Sequence, residues 1–419
     1  MKYAHFSDVH IGSWRDPKMR DLSTIAFQKA VDFCIEQKVD FILLAGDLFN
    51  TSMPTIDHLK SVVIKLKELK IKNIPVYAIA GSHDFSPSGK TMLDVLEKAG
   101  LLYNVVKGIV ENEKLKLSFT IDVNTGAKIT GMIGKKGMLE KKYYETLNLE
   151  HLEKEEGYKI FLFHTAINEF KPLDLEKMEA SPLSVLPKGF DYYAGGHVHY
   201  IFQRKEEGYG LISYSGALFP ANFKELEQFG CGGVYIVNTD ENNCDNPNGN
   251  SDNNKNNHNI TLAVWHPIKV IETEAIPIDC DAKVPIEIEE GILSAIDSKD
   301  FTNTIVLLRF KGMLREQKVS DINFKRIFQS FFEKNAYFVL KNSNALSSTA
   351  FEEVKLAGQS VEEIELLLLQ EHMQSNLTEN DSAFAQELLH ALNKEKIEGE
   401  RVIDFENRIL DTVKEMFEF

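Results

Sequence analysis

An α/β protein built on parallel βαβ units is the fold class that the sequence predicts, and three observations predict it. Strand-like and helix-like patterns alternate through the first hundred residues, and short clusters of Asp and His follow directly on apolar, β-branched runs. The third is composition: 43% hydrophobic and 26% charged residues is the balance of a soluble globular chain. A length of 419 residues leads to an expectation of two or three domains.

Taken in order, residues 3–7 read as a strand, 24–37 as an amphipathic helix, 41–45 as a buried strand, 58–70 as a helix and 76–80 as a strand. Residues 101–133 carry short alternating runs that suggest hairpins, and 139–152 read as a helix. Strand patterns return at 159–163, 190–194, 211–214 and 233–238. The Asp and His clusters sit just after strands, at the carboxyl ends where open α/β sheets collect ligands.

Residues 241–259 hold ten Asn among nineteen positions, a composition that buries no apolar surface and reads as a disordered hairpin tip between 234–237 and 260–264. His258 within it is not expected to be a site residue. Residues 282–345 suggest a small α/β unit, with helices at 285–298 and 321–334 and strands at 304–310 and 337–340. After the polar stretch 342–349 the chain turns mostly helical, with Leu, Ile, Val and Phe at three- and four-residue spacings in 382–392 and 401–417. Domains are accordingly expected at 1–280, 281–345 and 346–419.

No run of about 18 uncharged apolar residues occurs, so no membrane span is expected. The first candidate metal ligand comes at position 8, leaving no room for a cleavable signal, and a cytoplasmic protein is expected. Cys34, Cys231, Cys244 and Cys280 lack the short paired spacings of a zinc cluster or a disulfide framework. The net charge of -16 argues against nucleic-acid binding through the overall field, but residues 351–419 carry -11 of it. A locally basic groove is compatible with the remaining -5 on residues 1–350.

Five clusters carry the chemistry: Asp8-Val9-His10, Gly46-Asp47, Gly81-Ser82-His83-Asp84, His164, and Gly195-Gly196-His197-Val198-His199. Side chains at i and i+2 of an extended backbone share a face, so Asp8 with His10, and His197 with His199, are expected to point the same way. The Asp47 carboxylate has two oxygens, enough to bridge two ions about 3.5–4 Å apart. Two such ions suit in-line displacement at phosphorus, where attacking and leaving oxygens both carry negative charge, and water held there loses a proton more readily. His83 is then placed to protonate the leaving oxygen, a role worth roughly 10²–10⁴-fold. Imidazole and carboxylate donors without thiolate point to manganese, iron or zinc. A lone His after a strand is ordinarily structural and a lone Gly-Asp is ordinarily a turn. Five such clusters in this order are not explained that way.

The ordered set Asp-x-His, Gly-Asp, Gly-x-His-Asp, His, Gly-His-x-His resembles the calcineurin-like metallophosphoesterases. Residues 6–12 (FSDVHIG), 45–49 (AGDLF) and 192–199 (YYAGGHVH) are more specifically similar to the double-strand-break repair nuclease subunit of the Mre-eleven or SbcD family, in its archaeal form. The motifs cover roughly residues 1–240. The later α/β unit matches the family's capping domain in size and order only.

The resemblance implies a four-layer α/β/β/α metallophosphoesterase sandwich with a small α/β capping domain and a helical C-terminal tail. It implies a manganese-dependent 3′-to-5′ DNA exonuclease and single-strand endonuclease with two divalent metal ions. It also implies a homodimer and a coiled-coil ATPase partner of the Rad-fifty or SbcC type. It assigns Asp8, His10, Asp47 and His199 to the first ion, Asp47, His164 and His197 to the second, and the leaving-group acid to His83. The family dimerises through helices that fall here around 58–69 and 92–99, whose apolar stripes could equally be core. One position departs from the pattern: the family places Asn, a second-ion ligand, where this chain has Ser82, whose shorter hydroxyl could hold the ion through water.

Besides a DNA-end nuclease, two readings stand: a small-molecule phosphodiesterase or phosphatase on the same centre, and a non-catalytic scaffold with a structural metal. Asn50, Arg15 and Lys90 are candidate substrate contacts, with Lys18, Arg204 and Lys205 near the same loops. In the tail, Leu388, Leu389, Leu392, Ile403, Ile409, Leu410, Val413 and Phe417 form either a face for the partner's coiled coil or a face folded on the chain itself.

Overall fold

In the computed structural model the described residues are 1–348, apart from 87, 88, 173, 174, 176, 177, 241–259 and 316, together with 388 and 402–417. They fall in two units, Met1–Ala350 and Phe351–Phe419.

The first unit begins with β1 (Lys2–Phe6), α1 (Pro17–Glu36), β2 (Phe41–Ala45), α2 (Ile56–Ile71), β3 (Val76–Ile79), α3 (Met92–Lys98) and β4 (Tyr103–Asn104). The four strands are parallel neighbours. Asp16 and Thr55 start the two long helices by accepting from backbone N–H groups one turn in. All five residues of β2 are buried, as an unbroken apolar run covered on both faces should be.

A small hairpin, β5 (Gly108–Glu111) and β6 (Lys114–Leu117), precedes β7 (Thr120–Ile121) and β8 (Lys128–Gly131), and two short helices follow, α4 (Lys141–Thr146) and α5 (Leu149–Glu153). The single helix expected over 139–152 is therefore two. Leu147 is extended and Asn148 caps a new start by accepting from His151 N. Next come β9 (Lys159–His164), β10 (Tyr192–Gly196), β11 (Ile201–Lys205) and β12 (Leu211–Ser215), completing a second sheet of order β11-β12-β10-β9-β8-β7.

After α6 (Phe223–Phe229) the chain returns to the first sheet through β13 (Gly232–Asp240) and β14 (Ile260–Ile268), giving β14-β13-β1-β2-β3-β4. These two strands pair antiparallel with Asp240 opposite Ile260. The Asn-rich stretch 241–259 lies outside the described residues.

Between the sheets, Tyr3, Phe41, Leu43 and Ile79 face Ile129, Ile160, Leu162 and Tyr192. On the outer face of the first sheet Phe6, Ile42 and Leu44 pack with Phe27 and Val31 of α1 and Val62 and Leu66 of α2. Phe161, Phe163 and Tyr193 do the same with Tyr144 of α4 and Leu152 of α5 on the other side. The layers are thus α/β/β/α, the arrangement the metallophosphoesterase resemblance implies.

A third, parallel sheet consists of β15 (Glu272–Asp279), β16 (Thr304–Leu314) and β17 (Phe338–Ser348), linked by α7 (Pro285–Ile296) and α8 (Phe324–Glu333). Its first strand precedes residue 281, where the sequence pattern starts this unit. Pro277 disguises it, but β15 is an edge strand, where a missing N–H costs no ladder bond. The polar residues 342–348 likewise continue a strand, since β17 is the other edge. Val306, Leu308 and Phe310 lie under the two helices, while Ile305 and Leu307 join the core on the α1 side of the first sheet.

In the second unit α9 (Val402–Phe417) is amphipathic, with Ile409 and Val413 half-buried and Ile403 and Leu410 exposed. Position 388 is helical, whereas Leu389 and Leu392 lie outside the described residues, as do the side chain of Phe417 and all of 382–387. No helix among the described residues is long and apolar enough to cross a membrane.

Candidate metal centre

The carboxyl ends of β1, β2, β3, β9 and β10 bring six of the expected site residues together in three overlapping groups. Asp8, His10 and His199 form one, His10, Asp47 and His83 another, and Asp8, Asp47 and His164 the third, the ligand atoms of each lying within 4.8 Å of one another. His10 Nε2 is 3.9 Å from Asp8 Oδ1 and 3.7 Å from Asp47 Oδ2, and His199 Nε2 is 3.7 Å from Asp8 Oδ1. His164 Nε2 is 3.2 Å from Asp47 Oδ2. Donors bonded to one ion at about 2.0–2.2 Å stand roughly 3 Å apart, so these spacings suit shared ions.

The expected reason for the convergence of Asp8 and His10 is incorrect. β1 ends at Phe6, and Asp8 and His10 adopt left-handed backbone, with φ +50° and +46°. Loop hydrogen bonds do the work instead: Asp8 N donates to Gly46 O at 3.1 Å and His10 N to Asp47 O at 3.0 Å. His197 is also left-handed at φ +81°, so the same correction applies to the His197 and His199 pair. Asp47 makes a fourth at φ +53°. Each such non-glycine residue costs about 1–3 kcal/mol, and such residues persist only where surrounding contacts enforce them.

Asp84 supplies that enforcement for Asp47 and was given no role from sequence. Its buried carboxylate accepts from Asp47 N at 3.0 Å, Gly81 N at 2.9 Å and Phe49 N at 3.3 Å. Burial first, and the Asp47 charge second, push its carboxyl up to about 7. Gly46 could not be replaced here, because a Cβ would lie 2.3 Å from His164 Nδ1 and φ is +92°.

Asp47 faces several groups at once. Oδ1 accepts from His83 N at 2.7 Å, while Oδ2 is turned to His164, His10 and the Ser82 hydroxyl at 3.3 Å. Ser82 thus spends its donor on Asp47 and is buried. His197 falls in none of the three groups. Its ring lies beside that of His164, centroids 5.2 Å apart, and its backbone N–H donates to both Asp8 oxygens at 3.1 and 3.0 Å.

Second partners fix the imidazoles. His164 Nδ1 donates to Ala45 O at 2.8 Å and His83 Nδ1 to Asn50 O at 2.8 Å, which leaves Nε2 of each ring turned to the centre. Asn50 thus joins the site through its carbonyl. Glu225, another residue not picked out from sequence, accepts from His199 Nδ1 at 3.0 Å and from Ala221 N at 2.8 Å. Asn222 followed three residues on by Glu225 is a helix-start signature that could have flagged α6.

The donor set fits cations on two observations. His164 Nε2 is buried without a hydrogen-bond partner, and His10 and His199 aim their Nε2 atoms at each other at 3.1 Å. Burial disfavours charge on His164 and His199, yet the carboxylates beside them push these rings up to about 9 and about 10. Burial also opposes charge on Asp8, but His199 beside it holds its carboxyl down at about 2. Burial instead holds the His10 and His197 rings down at about 4, so only two of the four rings favour the charged form beside the carboxylates.

Among the remaining candidates, Arg15, Lys18, Lys90 and Lys205 are exposed. Arg204 pairs with Glu206 and lies over the Phe170 ring.

A family model described as calcineurin-like phosphoesterase matches residues 1–200. Among curated proteins, the chain is similar to the DNA double-strand break repair protein Mre11 of Archaeoglobus fulgidus, 27% identical over 241 residues, which is 54% of this chain and 52% of that protein. Proteins of the same description from Saccharolobus solfataricus and Thermoplasma acidophilum are 31% and 32% identical, over 56% and 51% of this chain and 59% and 55% of theirs. The chain thus matches little more than half the length of these relatives.

If Glu225 holds the His199 tautomer, Glu225→Ala is expected to weaken binding of a divalent ion about 10–100-fold, as loss of such partners typically does, with Glu225→Gln recovering part of it. Calorimetric titration of the metal checks this. Unchanged affinity in both variants would reduce Glu225 to a helix-start residue.

Proposed function

We propose, from the match of residues 1–200 to the calcineurin-like phosphoesterase family, that the chain is a manganese-dependent nuclease that processes broken DNA ends, 3′-to-5′ on duplex ends and as a single-strand endonuclease. The observation that carries the reading is the Asp47 carboxylate, common to the group around His10 and the group around His164. On this reading Asp8, His10, Asp47 and His199 hold one ion, and Asp47, His164 and His197 the other, with Ser82 acting at most through water. Divalent ions bound there supply Lewis acidity to the phosphodiester and make water a stronger nucleophile.

The chain's own part is orientation and proton transfer. Asp84 and the Gly46 and Gly81 turns fix Asp47, and Asp47 in turn holds the His83 backbone at 2.7 Å. With Nδ1 committed to Asn50 O, His83 has Nε2 left to deliver a proton to the leaving oxygen. Its ring lies 4.8 Å, centroid to centroid, from that of His10, which supports its proposed role as the acid.

The relatives named as double-strand break repair proteins support DNA as the substrate, and the third sheet supplies a unit that a small-molecule phosphodiesterase does not need. Asn50, Arg15 and Lys90 are proposed to touch the DNA backbone. Exposed Ile56, Ile64 and Ile71 on α2 and Val95 on α3 support a homodimer through those helices. The amphipathic α9 is proposed to grip the coiled coil of an ATPase partner through Ile409 and Val413, with Leu388 and Leu392 upstream. The proposed division of the chain is 1–280 nuclease, 281–345 capping unit and 346–419 partner-binding region, with β15 of the third sheet drawn from the first of these.

Two outcomes are expected. Blunt and overhanging duplexes should be degraded with manganese, and His83→Gln should lower the rate roughly 10²–10⁴-fold while leaving manganese affinity in place. Hydrolysis of a chromogenic diester without DNA degradation would move the reading to a small-molecule phosphodiesterase. Deleting residues 380–419 should abolish co-purification with the coiled-coil ATPase and spare nuclease activity, and persistent co-purification would remove the tail from the interface.

A further inference from the structure

The helix α6 has seven residues, of which only Leu226 is buried. Two turns do not hold a helix in place by themselves, since isolated helices shorter than about 12–15 residues are marginal in water. Its position is therefore set by what grips it from outside.

Successive helical residues advance by about 100°, which puts Glu225 and Glu227 on nearly opposite faces. Glu225 is turned to the metal centre, where it accepts from His199 Nδ1 at 3.0 Å. Glu227 is turned to the third sheet, where Arg309 of β16 donates from Nε and from one terminal nitrogen to its two oxygens, at 2.6 and 2.5 Å. Phe223 lies one turn before Glu227 on the same face, with the Arg309 guanidinium 5.1 Å above its ring centroid. At the helix end, the Thr273 hydroxyl of β15 donates to Gly230 O at 3.3 Å. The third sheet thus holds α6 along one turn and at its end.

The Arg309 and Glu227 side chains are 31% and 28% exposed, so solvent screens much of their Coulomb attraction. Geometry is the larger contribution. A planar fork bonded at two points and laid on a ring fixes direction as well as distance, which a lysine ammonium cannot do.

We propose that Arg309 is a positioning residue for the metal centre: it locks α6 where Glu225 can hold His199, and so sets the affinity of the ion that His199 holds. The inference rests on the two-ion reading above and adds to it a residue outside the ligand set. A shift of α6 by about 1 Å carries the 3.0 Å Glu225 bond past hydrogen-bond range. The other ion does not share this dependence, because His164 is held by Ala45 O of β2 at 2.8 Å.

Calorimetric titration of the full chain with manganese, run as a double-mutant cycle, tests the proposal. Arg309→Met keeps an unbranched side chain over Phe223 and removes the fork, and Arg309→Lys keeps the charge. The binding event that Glu225→Ala weakens identifies the ion held by His199. Each Arg309 variant should weaken that event about threefold or more and the other by less than about twofold. In the Glu225→Ala background, where α6 no longer reaches His199, Arg309→Met should cost no further affinity.

Unchanged affinity in both variants overturns the inference, as does equal weakening of both ions or a loss of the same size with and without Glu225. Each of these returns Arg309 to a packing role. A single binding event in the unaltered protein faults the two-ion reading instead, and the cycle then judges Arg309 on that one ion.

Discussion

The Asp47 carboxylate, wedged between His10 and His164, is the interaction on which the rest of the site depends. It is a buried charge, and burial alone would force it to take a proton. The His164 ring at 3.2 Å and the His83 N–H at 2.7 Å hold it well below the usual carboxylate range instead. Its backbone is left-handed, its N–H is bound to Asp84, and Gly46 and Gly81 beside it have no room for a Cβ. Those requirements account for the small residues and the acid that surround the clusters. They are conditions for placing one carboxylate, and they leave little freedom for substitution.

A second dependence runs through α6. This seven-residue helix presents Glu225 to His199 and, two residues later, Glu227 to Arg309 of β16, in a paired contact of 2.6 and 2.5 Å. The Arg309 guanidinium also lies over the Phe223 ring. One short helix is therefore held on one face by a candidate metal-site imidazole and on the opposite face by the third sheet. Its Phe229 and Gln228 also line a cavity beside the centre, so the third sheet, the metal-site histidine and the cavity share one support.

Much of this was legible in the sequence because the strands that carry the site are largely apolar runs and the candidate ligands end or closely follow them. Asp8, His10, Asp47, His83, His164 and His199 converge as their types and positions suggested, while His197 sits beside His164 and outside the tight groups. The mechanism of convergence was not legible. Alternation along an extended strand was the natural expectation for Asp8 and His10, but positive φ angles follow from long-range loop hydrogen bonds that no local pattern encodes. Glu225 and Asp84 were missed for a related reason: each acts by holding another residue, and neither spacing nor composition distinguishes that from an ordinary surface or turn acid. β15 was hidden by Pro277, and the outer half of β17 by its polar residues, both of which only an edge position permits.

The central claim is that Asp47 is shared by two ions. Anomalous scattering from crystals grown with manganese tests it directly. Two peaks about 3.5–4 Å apart, one toward His10 and one toward His164 with an Asp47 oxygen reaching both, is the result the account predicts. A single peak at saturating manganese, or two peaks of which only one contacts Asp47, would contradict it.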